Sequence, residues 1–290
     1  PMATQWQGVE DVDYCYSEVH ARALPLYGHR SKIYYETGKI PACGYKVFRV
    51  GRDADIRPDS VEWSDNQART SSLLKSPGVM ENDFLKVTIN PNGTFNLTDK
   101  ILKREWKSLN YFEDKGEHGT YWINYKPMYQ KAINSLGSPA TIWSEEEGPL
   151  QATLVSEVVL NIPQKGQPKY QSRGDNFIEM PVRTYITLKK NAKQIDIRVE
   201  FENRAEDHYL RVMFTTEIAG AATAESGGHF YVDSRTGRAQ GPTKQSTWPD
   251  MATLPMNNFV DVSNGETDLA FLSDCLTEYE LLEDDKQTVA

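Results

Sequence analysis

Cysteine is scarce: Cys15, Cys43 and Cys275 are the only three in 290 residues, and they are far apart. No CxxC pair exists, which argues against a cysteine zinc site, and their apolar or strand-like surroundings predict core thiols in a reducing compartment. Basic clusters are absent as well. The net charge is −9, with 32 basic residues scattered among 41 acidic ones, so nucleic acid is not an expected partner. No apolar run approaches the ~20 residues that span a bilayer, so no membrane is expected. The opening Pro-Met-Ala-Thr-Gln-Trp lacks the basic and apolar regions of a signal peptide and has no initiator Met at position 1. A cytoplasmic chain with residues missing upstream is the expectation.

Catalytic signatures are missing too. The sequence holds no GxSxG, HExxH, P-loop or GxGxxG. Of the five histidines (His20, His29, His118, His208 and His229), no two share the short spacing of a helical metal pair. Acidic runs such as Glu145-Glu146-Glu147 and Glu283-Asp284-Asp285 read as solvated faces, because general acid–base work needs two carboxylates held apart in a pocket. Neither a catalytic nor a metal-binding residue is therefore assigned.

What is present is alternation of period two, with almost no helical periodicity. An all-β chain of antiparallel strands is predicted. The clearest early strands are Lys32–Tyr35 and Tyr45–Val50, with a turn at Ile40–Gly44 between them. Residues 51–77 are polar and read as a linker. Leu85, Val87 and Ile89 then share one face, and Asn90-Pro91-Asn92-Gly93 predicts a hairpin with a type I′ turn before Thr94–Thr98. Further strands are expected at Gln151–Leu160, Val182–Leu188, Gln194–Glu202, Leu210–Thr216, Phe230–Asp233, Phe259–Val262 and Leu269–Leu272, with a tight turn at Asn264-Gly265. Gln287–Ala290 reads as the middle of a strand, so more sheet is expected beyond it.

The stretch Leu109–Tyr125 interleaves aromatics, carboxylates and glycines without clear periodicity. It reads equally as a sugar-facing loop or as a packed Ω-type loop.

That stretch, LNYFEDKGEHGTYWIN, resembles a loop of the glycoside hydrolase family 38 α-mannosidases of prokaryotic type. ENDFLKVTINPNGTFNLTDK before it is similar to the family's first hairpin in its large β domain. EDHYLRVMF, GHFYVDSR, WPDMATLPMNNFVDVSNG and LSDCLTEYELLEDD follow in family order, and IPACGYKVFRV resembles the end of a preceding small β domain. The resemblance implies a small β-sandwich-like domain at 1–52, a linker at 53–78 and an incomplete mutarotase-like supersandwich at 79–290. It implies a parent that cleaves α-mannosidic bonds with retention. The zinc and the nucleophile would lie in an N-terminal barrel absent from this chain. This chain would then need no cofactor of its own and would be inactive alone. Its partners would be that barrel and a mannose-containing saccharide, and self-association as a homo-oligomer would follow from an uncovered barrel-facing surface. By the same resemblance Tyr121 contacts substrate, and Arg211 either does so or pairs with an inner carboxylate. A free-standing carbohydrate-binding module and a mutarotase-like aldose epimerase are the alternative readings.

Overall fold

The computed structural model describes residues 4–16, 24–48, 72–119, 126–129, 131–167, 169, 172–226, 230–236, 253–282, 284 and 286–290, with side chains from residue 33 onward. Two compact units make up the chain. The first comprises Pro1–Phe84, Trp143–Leu154 and Ile186–Ile197, and the second Leu85–Ile142, Val155–Tyr185 and Arg198–Ala290.

In the first unit, strands β1 (Thr4–Tyr16) and β2 (Leu24–Tyr35) pair antiparallel along their whole length, with an irregularity between Gln7 and Val9. β3 (Leu74–Ser76) and β4 (Val79–Glu81) form a short second pair. β3 lies inside the stretch expected to be a linker, most of which falls outside the described residues. Polar side chains tie distant segments of this unit together. The Asn82 amide donates to the Lys189 and Ala192 carbonyls at 2.7 and 2.8 Å, and Lys190 and Asn191 donate to Glu36 at 3.2 and 3.0 Å.

The expected strand at Tyr45–Val50 is not formed over 45–48, and Arg49 and Val50 lie outside the described residues. Tyr45 and Val47 are exposed, and the segment is fastened by side chains instead of a ladder. Lys46 Nζ donates to the Thr37 carbonyl at 2.7 Å, and the Phe48 ring meets Tyr35 edge-on at 5.1 Å. The preceding turn is present. Gly44 N–H bonds the Pro41 carbonyl at 3.0 Å, with Cys43 at φ +57°. That position explains why Cys43 is exposed and not a core thiol, since turns run over the surface. Cys275, in a loop whose amide donates to Ser273 Oγ, is exposed for the same reason. The Cys15 side chain lies outside the description.

The second unit begins with a meander of β5 (Leu85–Ile89), β6 (Phe95–Asp99) and β7 (Arg104–Leu109). Leu85, Val87 and Ile89 are buried on one face, as their spacing predicts. The hairpin turn differs from the expected type I′. Gly93 alone has positive φ (+81°), and its amide bonds the Asn90 carbonyl at 2.9 Å. Pro91 fixes a type I geometry that Gly93 then closes in the left-handed region. Between β6 and β7 the register slips, so that Lys107 and Ser108 face Asn96, and Ser108 takes φ +55°.

β8 (Tyr111–Gly116) and β9 (Ile133–Asn134) follow, then β10 (Ala140–Glu146), β11 (Gln151–Pro163), β12 (Phe177–Lys189) and β13 (Ile195–Phe201), which neighbour one another in that order. β14 (His208–Thr215) pairs with β8. β15 (Ala222–Ser226) pairs with β16 (Val232–Thr236), and a two-residue strand β17 (Leu254–Pro255) comes next. β18 (Phe259–Ser263) and β19 (Asp268–Leu272) make the Asn264-Gly265 hairpin, with Gly265 at φ +86°. β20 (Glu278–Tyr279) pairs with β17, and β21 (Thr288–Val289) with β14.

No α-helix occurs among the described residues, and the all-β expectation is borne out. Two apolar clusters fill the second unit. Phe112, Val158, Leu160, Ile162, Met180 and Val182 form one; Ile218, Met256, Val260, Val262, Tyr279 and Val289 are in the other. Asp284 belongs to one of the acidic runs expected to be solvated, yet it accepts from Thr288 N and Oγ1 at 2.8 and 2.6 Å and secures the last strand.

A methyl group at Gly93 would meet Val158 Cγ1 at 2.7 Å and Ala140 Cβ at 3.1 Å, at a φ that L-residues avoid. Gly93→Ala is expected to lower stability by about 1–3 kcal/mol, read from the urea midpoint.

Candidate functional site

Strand β8 opens the Leu109–Tyr125 stretch, so its first part is a strand and not the loop that the sequence suggested. Its side chains alternate. Phe112 and Asp114 turn to a buried face; Tyr111, Glu113 and Lys115 turn to a half-buried one. In β14 the register sets Arg211 opposite Glu113 and Tyr209 opposite Lys115, so both join the half-buried face.

On that face Arg211 Nη2 donates to Glu113 Oε1 at 2.6 Å, and Nη1 is ion-paired with Glu280. Lys115 Nζ approaches Glu113 Oε1 at 2.7 Å, and the Arg211 guanidinium lies 5.7 Å from the Tyr209 ring. Two carboxylates and two cations thus neutralise one another beside two tyrosines. Burial by itself would raise the Glu113 pKa. The hydrogen bonds and charges of Arg211 and Lys115 outweigh it and hold the carboxyl below its ordinary value. Burial first, then the neighbouring carboxylates, push the Tyr111 hydroxyl up, and burial does the same to Tyr209.

The opposite face carries a second charged group. Asp114 is fully buried, ion-paired with Arg173, and 2.5 Å from His208 Nδ1; His208 Nε2 lies 3.0 Å from Asn203 Oδ1. A third buried carboxylate, Glu225, binds Arg235 at 2.5 Å and accepts from the Tyr279 hydroxyl at 3.0 Å. Burial of Tyr279, with Glu225 adding to it against the Thr223 bond, pushes that phenol up to about 12.

Glu113, Asp114 and Glu225 each contact an arginine, an arrangement that suits scaffolding and ligand orientation. An epimerase would need a base and histidine acids on one face. His208 shares its face with Asp114, but Arg173 already ion-pairs that carboxylate, and Glu113 lies on the opposite face. No group of three or more His, Cys, Asp or Glu able to hold a metal occurs among the described residues.

Arg211 therefore sits mid-strand between two carboxylates, and Tyr121 lies outside the described residues. Glu113, Glu280, Asp114 and Arg173 were not singled out in the sequence. The alternation of Tyr111–Gly116 could have exposed the strand, but the 69-residue separation of Arg211 from Glu280 leaves no local signal.

A family model, the glycosyl hydrolases family 38 C-terminal domain, matches residues 80–289. The chain belongs to this family. A curated protein of Halalkalibacterium halodurans named "Putative mannosylglycerate hydrolase" is 26% identical over 242 residues, covering 77% of this chain and 26% of that protein. The structure described as an alpha-mannosidase from Enterococcus faecalis V583 matches at TM-score 0.76 and 20% identity, covering 99% of this chain and 32% of that one. A second structure, of a protein in glycosyl hydrolase family 38 from Enterococcus faecalis, matches at 0.73 and 19%, covering 99% and 33%. Both likenesses place the family 38 chain in the same fold. The chain spans about a quarter to a third of the length of these relatives. No helix of the described residues is long and apolar enough to cross a membrane.

Removing Arg211 would leave Glu113 and Glu280 half-buried without their shared counterion. Arg211→Met is expected to cost about 3 kcal/mol in urea unfolding, and the Arg211→Met/Glu113→Gln double variant less than the sum of its singles. Because the folded-state pKa of Glu113 lies below its unfolded value, its contribution is complete above the ordinary glutamate range of about 4.3. It is lost as pH falls through the lower folded value. Glu113→Gln should flatten that acid limb in a pH series of unfolding curves.

Proposed function

We propose that this chain is the non-catalytic β region of a glycoside hydrolase that cleaves α-mannosidic linkages with retention. The family match over 80–289, on a chain covering about a quarter to a third of its relatives, carries the reading. In this reading the large β domain is 79–290, with a small β domain at 1–52 and a connecting segment at 53–78 whose end forms β3. Zinc and the nucleophile belong to a barrel elsewhere in the parent protein, which this region packs against. The exposed thiols Cys43 and Cys275 suit a cytoplasmic location.

Within the parent, the half-buried face of β8 and β14 borders the sugar pocket. Tyr121, a few residues beyond β8, reaches the substrate. Arg211 takes part by fixing Glu113 and Tyr209 at the pocket's edge.

Hydrolysis of a chromogenic α-mannoside with zinc, compared between this chain and the full parent, tests the assignment. Turnover by the parent alone supports it, and clear turnover by these 290 residues overturns it. In the parent, Tyr121→Phe is expected to lower kcat/KM about tenfold with an unchanged melting temperature. A tyrosine that merely packs its loop would shift the melting temperature instead.

A further inference from the structure

A second polar site lies away from the Arg211 face, where the β5–β6 hairpin turn meets the slip in register between β6 and β7. It is a shallow depression, largely open to solvent, of about 380 Å³, lined by Asn90, Pro91, Asn92, Asn96, Lys107 and Ser108, among others. That size accommodates one pyranose ring. Its amides are held in place by one another. Asn90 Nδ2 donates to Thr94 Oγ1 at 2.9 Å and to Asn96 Oδ1 at 3.0 Å, and Asn96 Oδ1 also accepts the Ser108 amide at 3.0 Å. Asn92 is fixed through its bond to the Leu136 carbonyl at 3.1 Å.

This bonding leaves one polar atom of each pair unused. Asn90 Oδ1, Asn96 Nδ2 and Ser108 Oγ engage no partner among the described residues, and Lys107 Nζ has only an exposed contact with Glu105 at 3.6 Å. The array thus offers an acceptor, donors and a hydroxyl that can be either, and the Asn90 and Asn96 amides are already held in place. Ser108 is held in the left-handed region at φ +55°, a strained conformation for serine, by the same Asn96 oxygen. An anion would find no use for the Asn90 oxygen. A sugar hydroxyl, donor and acceptor at once, uses every atom of the set, and the Pro91 ring supplies an apolar wall.

We infer that this depression is a saccharide-binding subsite, separate from the Arg211 face, that takes a single neutral pyranose ring. The inference does not depend on which bond the parent cleaves.

The test is calorimetric titration of the full-length protein with methyl α-mannoside, methyl α-glucoside and inorganic phosphate. Wild type is compared with Lys107→Met/Ser108→Ala and with Lys107→Met alone. Neither side chain makes a hydrogen bond among the described residues, and the Lys107–Glu105 contact is worth little, so both variants should fold. The expected result is a weak sugar site, with Kd on the order of 1 mM, that weakens at least tenfold in the double variant while kcat/KM on a small mannoside is unchanged. Sugar binding untouched by both variants overturns the inference, and so does binding of phosphate alone. Loss of kcat/KM together with the site would merge it with the substrate pocket and overturn its separateness. A parent inactive on mannosides would sink the proposed function yet leave the titration to be read on its own terms.

Discussion

Arg211 joins three pieces of chain that are far apart in sequence. From the middle of β14 it reaches Glu113 on β8 and Glu280 just after β20. The backbone ladder alone would hold β8 to β14. What the guanidinium adds is a fixed lateral position for the C-terminal segment, whose last strand pairs with the end of β14. Side-chain bonds from Asp284 to Thr288 secure the same segment from within.

Charges that are half or fully buried are a costly way to hold a sheet. Desolvating a carboxylate opposes folding, and its attraction to a counterion offsets that only with close geometry and further hydrogen bonds. The second unit nevertheless repeats the device at Glu113, Asp114 and Glu225, each in contact with an arginine. Apolar residues of the same volume would stabilise the strands as well but would not fix their lateral register. Adjacent carboxylates at 113 and 114 point to opposite faces because a strand has a period of two, so one short strand anchors charge networks on both sides.

The sequence was most informative where structure is local. Leu85, Val87 and Ile89 showed their face through spacing alone, and the two Asn-Gly hairpins stand where the turn residues placed them. Local pattern and structure diverge where the pattern is ambiguous. Tyr45–Phe48 alternates like a strand but has no ladder partner among the described residues, and Tyr111–Gly116 is a strand whose mixed polar and aromatic residues disguised it. The hairpin turn departs from type I′ because Pro91 dictates a type I geometry, which leaves positive φ to Gly93 alone. Residue type favours the core for Cys43 and Cys275, yet turn and loop geometry set them in solvent.

The sequence by itself determined the all-β class, the principal hairpins and membership of family 38, because side-chain alternation, turn chemistry and motif order are properties of neighbouring residues. Tertiary structure decided which charges meet. Whether Arg211 is a free cation or a bridge depends on Glu113 and Glu280, which lie 98 and 69 residues away in sequence. At the depression by Asn90 and Asn96 it is likewise the register of β7 that sets Lys107 and Ser108 opposite Asn96. Pairings over such distances follow from strand register and packing of the whole unit, which no local pattern encodes.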